Sequence, residues 1–431
     1  MIPYTHLHVH SHYSILDGQA SIQRLVDKAI ADGMKGMALT DHGNMMGVKE
    51  FFNYSKKVTG AAKKELKAAQ AKLDELRSGN YEPSAEETAR FGATGNVVNA
   101  LIAEQEQLVE KKSLAANFKA IIGCEMYCAR RKKELKEGKE DKSGWHLIVL
   151  AKNEKGYHNL IKLVSRSWVD GYYYRPRTDK EDLEKFAEGL IICSACLGGE
   201  IPQKVLKDDM AGAEESVMWF KRVFGDDYYL ELQRHEVKDP AQRANRGTYP
   251  LQQKSNEALI ELGKKCGVKV VCTNDSHFVD EENAESHDRL ICLSTNRFYS
   301  DAQRMLYTKQ EWFKTQAEMN QVFADLPEAL ANTNEVVDKI ESFSIDHGPI
   351  MPNFDIPSDF GTEEEYRQRF SHEQLYDEFT QDENGNVVLS REEGEEKINK
   401  LGGYDKLYRI KLEADYLAKL AYEGAAWRYG T

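Results

Sequence analysis

Residue types that ligate metals recur at the polar tips of apolar runs through the first two thirds of this chain. That placement limits the fold more than any other feature. His6, His8, His10 and His12 alternate in HLHVHSH, so a strand there would turn all four towards one face. Later apolar runs lead into further candidates: Asp41 and His42 in TDHGN, Glu125 in GCEMY, His146 in WHLIVL, Cys193 and Cys196 in CSACLGG, Asp275 and His277 in TNDSHF. In α/β folds the carboxyl ends of parallel strands open on one side, so these side chains are predicted to meet in one mouth.

The runs 5–10, 37–40, 120–127, 146–151, 190–194, 228–232 and 268–273 read as seven strands with amphipathic helices between most of them. Ser21 is placed to cap a helix whose face carries Ile22, Leu25, Val26, Ala29 and Ile30, and Gly33 to end it. This rhythm predicts an α/β fold with a parallel sheet, open or closed. Residues 57–117 break it. They are charged and Ala-rich, with one stripe of Leu66, Ala69, Leu73 and Leu76 and another of Val98, Leu101, Ile102, Leu108 and Val109. With SGNYEPS (78–84) as the turn, they are predicted to form a helical hairpin without essential chemistry. Beyond about residue 290 the strand signals stop. Residues 310–341 read as helical, 351–361 as a linker, 373–404 as an acidic surface segment and 404–430 as a helix. The expected division is 1–290 and 291–431, and the abrupt end at Gly430-Thr431 predicts a piece of a longer protein.

A formal net charge of -13 argues against a general DNA sleeve, since tight non-specific binding draws on Lys and Arg contacts to phosphate. Nucleic-acid contact should be local or cation-assisted. Seven cysteines scattered through the chain do not form a disulfide framework. The N-terminus has no basic region followed by an apolar one, and no apolar run approaches the roughly 18 residues that span a bilayer. The expectation is a cytoplasmic protein with no membrane partner.

Imidazole, carboxylate and a single thiolate together suit Zn²⁺, Mn²⁺ or Fe, with Mg²⁺ also admissible. About nine ligands exceed what one ion takes, so two or three divalent ions are expected, the arrangement used in phosphoryl hydrolysis. Any one of these histidines alone would more often be a satisfied core residue; the repetition at strand ends carries the reading. His6 and His12 are expected to support the site or lie on the surface. Cys196 is the expected thiolate ligand and Cys193 strand filler, because the C-x-x-C has no second pair to make a zinc knuckle. No phosphate-binding loop, nucleophile elbow or dinucleotide turn is present. His235, after YYLELQ, could reach the same mouth and touch substrate. Arg175 and Arg177 in GYYYRPR suit a single-stranded DNA contact, the alternative being a surface loop that packs its tyrosines on the barrel.

In order, HLHVHSHYSILDG, ALTDHGN, GCEMY, WHLIVLAKNEKGYHNL, LGGEIPQ and TNDSHF resemble the polymerase and histidinol phosphatase (PHP) domain. The nearest likeness is to the version at the N-terminus of bacterial DNA polymerase III alpha subunits. The resemblance covers roughly 4–295 and continues weakly through FKTQAEMNQVFADLPEALANTNEVV towards that subunit's palm. It implies a distorted seven-stranded (β/α) barrel with a trinuclear metal cluster. Carried over position by position, the ligands are His8, His10, Asp17, His42, Glu125, His146, Cys196, Asp275 and His277; Asp17 rests on the resemblance alone. Cys196 stands where many small PHP phosphatases have histidine. The 57–117 insertion departs from the family pattern.

The resemblance implies metal-dependent phosphodiester hydrolysis, as 3′→5′ exonuclease action on a single-stranded primer end, inside a DNA-directed DNA polymerase (a nucleotidyltransferase). Replisome subunits such as the sliding clamp would be partners of the full protein. The palm's catalytic aspartates belong beyond residue 431, so this chain carries no polymerase site. Two other readings stay open: a catalytically silent metal-binding scaffold of the polymerase, and a free-standing PHP phosphatase acting on a small phosphomonoester.

Overall fold

The computed structural model describes residues 1–91, 97–237, 244, 247–350, 352, 354–382 and 384–430. Part of the expected hairpin (92–96) and two linker positions (351 and 353) lie outside the described residues. The chain divides into two compact units, Met1–Asp346 and His347–Thr431.

In the first unit the elements run α1 (Ile22–Ala31), β1 (Gly36–Leu39), α2 (Val48–Arg77), α3 (Ala85–Phe91), α4 (Val97–Ala116), β2 (Lys119–Ala129), β3 (Gly144–Ala151), α5 (Glu154–Val169), β4 (Arg177–Thr178), α6 (Lys180–Lys185), β5 (Leu190–Cys193), α7 (Glu200–Leu206), α8 (Met210–Phe224), β6 (Tyr228–Gln233), α9 (Tyr249–Cys266), β7 (Val270–Thr273), α10 (Ala284–Ser294), α11 (Gln316–Val322) and α12 (Pro327–Lys339). The strands form one curled sheet in the order β1-β2-β3-β5-β6-β7, with β4 paired to β2. This is the α/β class that the strand and helix rhythm predicted, in the barrel form that the resemblance implied. The sheet is mixed, not wholly parallel: β3 runs antiparallel to both β2 and β5.

Residues 5–10 do not form the ladder strand expected of them. They lie between the sheet edges β1 and β7, where Ala38 and Thr40 donate to His6 O and Val9 O and His10 donates to Ser276 O. Two backbone N–H groups go to side-chain hydroxyls instead of a strand: Thr5 to Thr333 Oγ1 and Val9 to Thr40 Oγ1. Hydroxyls that take ladder positions satisfy the backbone without a regular strand. A seventh strand is supplied by the two-residue β4.

Side chains alternate across each strand. In β2, Ile122, Cys124, Met126 and Cys128 face the outer helices, and in β6 Tyr228, Leu230 and Leu232 do the same. The opposite row, with Leu7, Ile121, Ile148, Ile191, Cys193, Tyr229 and Val271, fills the barrel floor against Val336, Val337 and Ile340. Cys193 is thus core filler, as expected. Lys119 Nζ donates to Val337 O and Ile340 O and satisfies the end of α12. Residues 291–346 pack with the barrel in one compact unit, Met1–Asp346.

Ser21 caps α1 through Arg24 N, and Gly33 follows the helix at φ +76°. The inserted hairpin starts at Val48 rather than 57 and pairs α2 with α4, with the short α3 near its tip. The second unit contains α13 (Glu363–Arg369), α14 (His372–Thr380), α15 (Arg391–Leu401) and α16 (Gly403–Tyr429). Tyr366, Leu375, Tyr376, Ile398, Leu407, Tyr408 and Leu412 form its own core. Among the described residues no helix is long and apolar enough to cross a membrane.

Candidate metal centre

At the mouth end the inward-facing row changes from apolar to ligating. Glu125 lies on the β2 side of the β2–β3 pairing, and His146 opens β3 on the row of Ile148 and Leu150. Because β3 runs backwards, His146 reaches the mouth from the first turns of its strand, not from its end as the sequence pattern suggested. Its N–H donates to Gly198 O, and a Cβ at Gly198 would stand 3.0 Å from the His146 ring. Asp275 and Ala195, just before Cys196, hold left-handed φ of 46° and 62°. Non-glycine residues rarely adopt that conformation, and where they do it is often to aim functional groups.

His8 Nε2 and His10 Nε2 are 3.1 Å apart, with Asp275 Oδ1 3.1 Å from the first and 3.2 Å from the second. Glu125 lies at the centre. Its Oε1 is 2.7 Å from His146 Nδ1 and 3.6 Å from His8 Nε2, and its Oε2 is 3.5 Å from His10 Nε2 and abuts His42 Nδ1. Cys196 Sγ is 3.6 Å from His146 Nδ1, and Asp17 Oδ2 is 3.2 Å from His42 Nε2. His277 stacks on His10 with ring centroids 4.3 Å apart. The donors fall into three groups, His8/His10/Asp275, His10/His42/His277 and Glu125/His146/Cys196, each within 4.8 Å and the first two sharing His10. All nine positions carried over from the resemblance are brought to this mouth.

The donor set fits divalent cations on a second observation. Asp17 Oδ1, His42 Nδ1, Glu125 Oε2, Asp275 Oδ1 and His277 Nε2 are buried without a hydrogen-bond partner. A buried polar atom left unmet costs about 1–3 kcal/mol, and a cation among these would meet all five. Burial opposes the charged form of His8, but Asp275, Glu231 and Glu125 outweigh it and hold the imidazole well above its ordinary pKa. His10 is pushed down to about 3 by burial and by its neighbours His42 and His277. Burial would raise Asp17, yet the His42 imidazole holds it well below the usual carboxylate range. Burial, then Glu125 and Asp275, push the Cys196 thiol far up. Such a thiol becomes a ligand only when a cation displaces its proton.

Residues 6–235, more than half of the chain, match the family model described as the PHP domain. The chain belongs to the PHP family. DNA polymerase III subunit alpha of Borreliella burgdorferi is 38% identical over 375 residues, covering 86% of this chain and 27% of that protein. The Treponema pallidum protein of the same name is 33% identical over 379 residues, covering 87% and 26%. That of Aquifex aeolicus is 30% identical over 423 residues, covering 93% and 30%. The chain spans about a quarter of the length of these relatives.

Around these candidate ligands sit groups that the sequence did not mark. Glu231, fully buried in β6, takes His8 Nδ1 at 2.7 Å and accepts from Thr273 Oγ1 and Gln233 Nε2. A lone acidic residue in the apolar run YYLELQ was the available signal. Asp41, a candidate ligand by position, is occupied otherwise: it accepts from Ser11 N, Ser11 Oγ and Ser14 Oγ, and Ser14 Oγ pairs with His10 Nδ1 at 2.9 Å. It positions the loop and the His10 ring. His277 Nδ1 faces Asp275 O at 2.8 Å, and His287 places Nε2 at 2.8 Å from Asp17 O. Tyr307, from the segment between α10 and α11, brings its hydroxyl to 3.4 Å from Asp17 Oδ2; nothing in the sequence marked it. His6 stacks on Phe313 and faces Lys314 O, while His12 lies exposed on Tyr13, so neither joins the donors.

Two expected substrate contacts are corrected. Arg177 is fully buried and donates to Gly171 O, Lys133 O and Leu135 O, because the two-residue β4 carries it under the loop. It holds the GYYYRPR loop together and does not face substrate. His235 is also buried, with its ring nitrogens directed at Asn274 O and Gln252. Arg175 does face the mouth, a cavity of about 450 Å³ that it lines with Asp17, His42, His146, Cys196 and Tyr307.

Proposed function

We propose that this PHP mouth is a metal-dependent phosphodiesterase that removes nucleotides from the 3′ end of single-stranded DNA. The full protein would be a replicative DNA polymerase of the III alpha type, acting in the cytoplasm. The observation that carries the reading is the convergence of three competent donor groups on one open cavity, with buried acceptors left for a cation to satisfy. His8, His10 and Asp275 would hold one ion, His42 and His277 with Asp17 a second, and Glu125, His146 and Cys196 a third, with His10, whose single free nitrogen serves one ion, as the alternative ligand of the second. Zn²⁺, Mn²⁺ or Fe suits this mixture of nitrogen, oxygen and sulfur. Bound together, such ions supply Lewis-acid charge to phosphoryl oxygens and an activated water at neutral pH.

The chain's own residues would set up the rest. Glu231 fixes the His8 ring, and the Ser14–Asp41 pair fixes that of His10, so both present Nε2 inward. Arg175, at the rim over the Tyr127 ring, is placed to take a phosphate of the incoming strand. Tyr307 can donate to an oxygen held near Asp17. Residues 291–431 would lead towards a polymerase palm, and the partners would be DNA and replisome subunits, including a sliding clamp.

Metal content of chain purified without chelator, with cleavage of 3′-labelled single-stranded and mismatched primers in Zn²⁺ or Mn²⁺, tests the reading. Two to three ions per chain, and 3′→5′ degradation lost in His8→Ala/His10→Ala, is the expected result. Bound metal without cleavage would replace the nuclease by a metal-holding scaffold. Cleavage of small phosphomonoesters alone would make it a phosphatase.

A further inference from the structure

The rim of the mouth is aromatic on one side, and no hydrolytic step requires that. Trp168, Tyr172 and Tyr174 line the cavity yet are 45%, 47% and 61% exposed. Trp168, in the last turn of α5, and Tyr172, three residues beyond the end of that helix, stack with centroids 5.4 Å apart and planes 13° from parallel. The Trp168 indole N–H donates at 2.7 Å to the carbonyl of Gly43, the residue after His42. Gly43 itself has φ +60°, and a Cβ there would stand 2.7 Å from Pro176, so the GYYYRPR loop and the His42 turn are seated on one another. The stacked pair is thereby held at a fixed place beside a metal ligand.

Cations accompany the rings. The Arg175 guanidinium sits 5.7 Å from the Tyr127 ring centre, and Tyr127 in turn packs edge-on to His146. Lys142 Nζ lies 4.6 Å over the Tyr174 ring. Among the described residues neither cation has a carboxylate within ion-pair distance, although the chain is strongly acidic. Tyr174 is held at φ +61°, a conformation bulky residues rarely adopt, which keeps its ring out at the rim.

Flat exposed rings beside unpaired cations, leading into a phosphoesterase mouth, match the alternating bases and phosphates of a single strand. A duplex end offers only the face of its last base pair, whereas a single strand can lay successive bases on separate rings. We infer that Trp168, Tyr172 and Tyr174 form a platform on which the terminal bases of a single-stranded DNA end stack, with Arg175 and Lys142 taking the adjoining phosphates. The inference rests on the phosphodiesterase reading for its substrate and names the side chains that select a frayed end over a paired one.

The test uses binding, so that it can fail separately from cleavage. A fluorescent oligothymidylate with phosphorothioate terminal linkages, which keep the backbone charge and resist cutting, is titrated with the full chain with and without Mn²⁺. A second strand is identical but abasic at its last positions. Base–aromatic stacking is worth roughly 1–3 kcal/mol, or roughly 5- to 150-fold in affinity, per base. The unmodified chain should therefore bind the abasic strand at least roughly fivefold more weakly. Trp168→Ala and Tyr172→Ala should lose affinity for the normal strand by a similar factor and no longer distinguish the two. Trp168→Phe should retain most of the discrimination, and Trp427→Ala, in the second unit, should behave as the unmodified chain. Equal affinity of the unmodified chain for both strands would overturn the platform whatever its nuclease activity. Base-dependent binding in a chain that never cuts DNA would uphold the platform and remove the nuclease.

Discussion

His8 Nδ1 and Glu231 Oε1 meet at 2.7 Å with both side chains out of solvent, although 223 residues separate them in the chain. This pairing decides which nitrogen of His8 is free to ligate. With Nδ1 engaged, Nε2 points at His10 and Asp275. A carboxylate behind an imidazole also raises its basicity as a ligand.

Glu231→Gln keeps the size of the side chain but removes its charge. Metal affinity should fall by about 10- to 100-fold, the usual cost of losing such support. Competition titration against a chelating dye reads this directly. Unchanged affinity would mean that His8 is held by packing alone.

Metal should stabilise the fold, because it would coordinate buried atoms that lack a formed hydrogen bond. At a free concentration near 100-fold above the dissociation constant, one bound ion adds about 2.7 kcal/mol. Thermal melts with Zn²⁺ or Mn²⁺, before and after chelation, should differ accordingly. In His8→Ala/His10→Ala the difference should shrink sharply. Identical melts for the unmodified chain in both conditions would contradict the site.

Arg177→Ala should destabilise the barrel on the order of 3 kcal/mol, since it removes three charge-assisted bonds and leaves the carbonyls of Gly171, Lys133 and Leu135 buried. Urea unfolding followed by circular dichroism measures it. By contrast Arg175→Ala should leave the denaturation midpoint nearly unchanged and weaken DNA binding. The reverse pattern would return Arg177 to the substrate-binding role first expected of it.

Hydrogen bonds from Lys49 and Lys56 hold the Asp346 carboxyl at about 2. A folded-state pKa below the ordinary carboxylate value stabilises fully above about pH 4 and is lost as pH falls towards 2. Asp346→Asn should thus differ from the unmodified chain at pH 6 and converge with it at low pH, by a small and salt-sensitive amount because the pairs are exposed. Denaturation midpoints across that range, at two salt concentrations, provide the check.

Local regularities made much of this protein readable in advance. Ligating residue types at the ends of apolar runs marked the mouth, Ser21 and Gly33 bounded a helix, and the paired stripes of 57–117 announced the inserted hairpin. Capping, period-2 alternation and helical stripes depend on neighbours a few residues away, so they survive in the linear order. The ligand positions also resembled a known family, which supplied Asp17 where spacing was silent.

Long-range packing decided the rest. The reversed direction of β3 brings His146 to the mouth from the start of its strand, and apolar length is the same in either direction. Of four alternating histidines only His8 and His10 enter the donor groups, because His6 is taken by Phe313 and Lys314 O and the chain turns outward at His12. Arg175 and Arg177 have equal charge and adjacent places in one motif, yet the β2–β4 pairing buries one and leaves the other at the rim. Glu231 reaches His8, and residues 327–340 seal the barrel floor, only once the sheet has curled. Residue chemistry was thus written in the chain, while partners across the barrel were chosen by closure of the sheet, which no local pattern encodes.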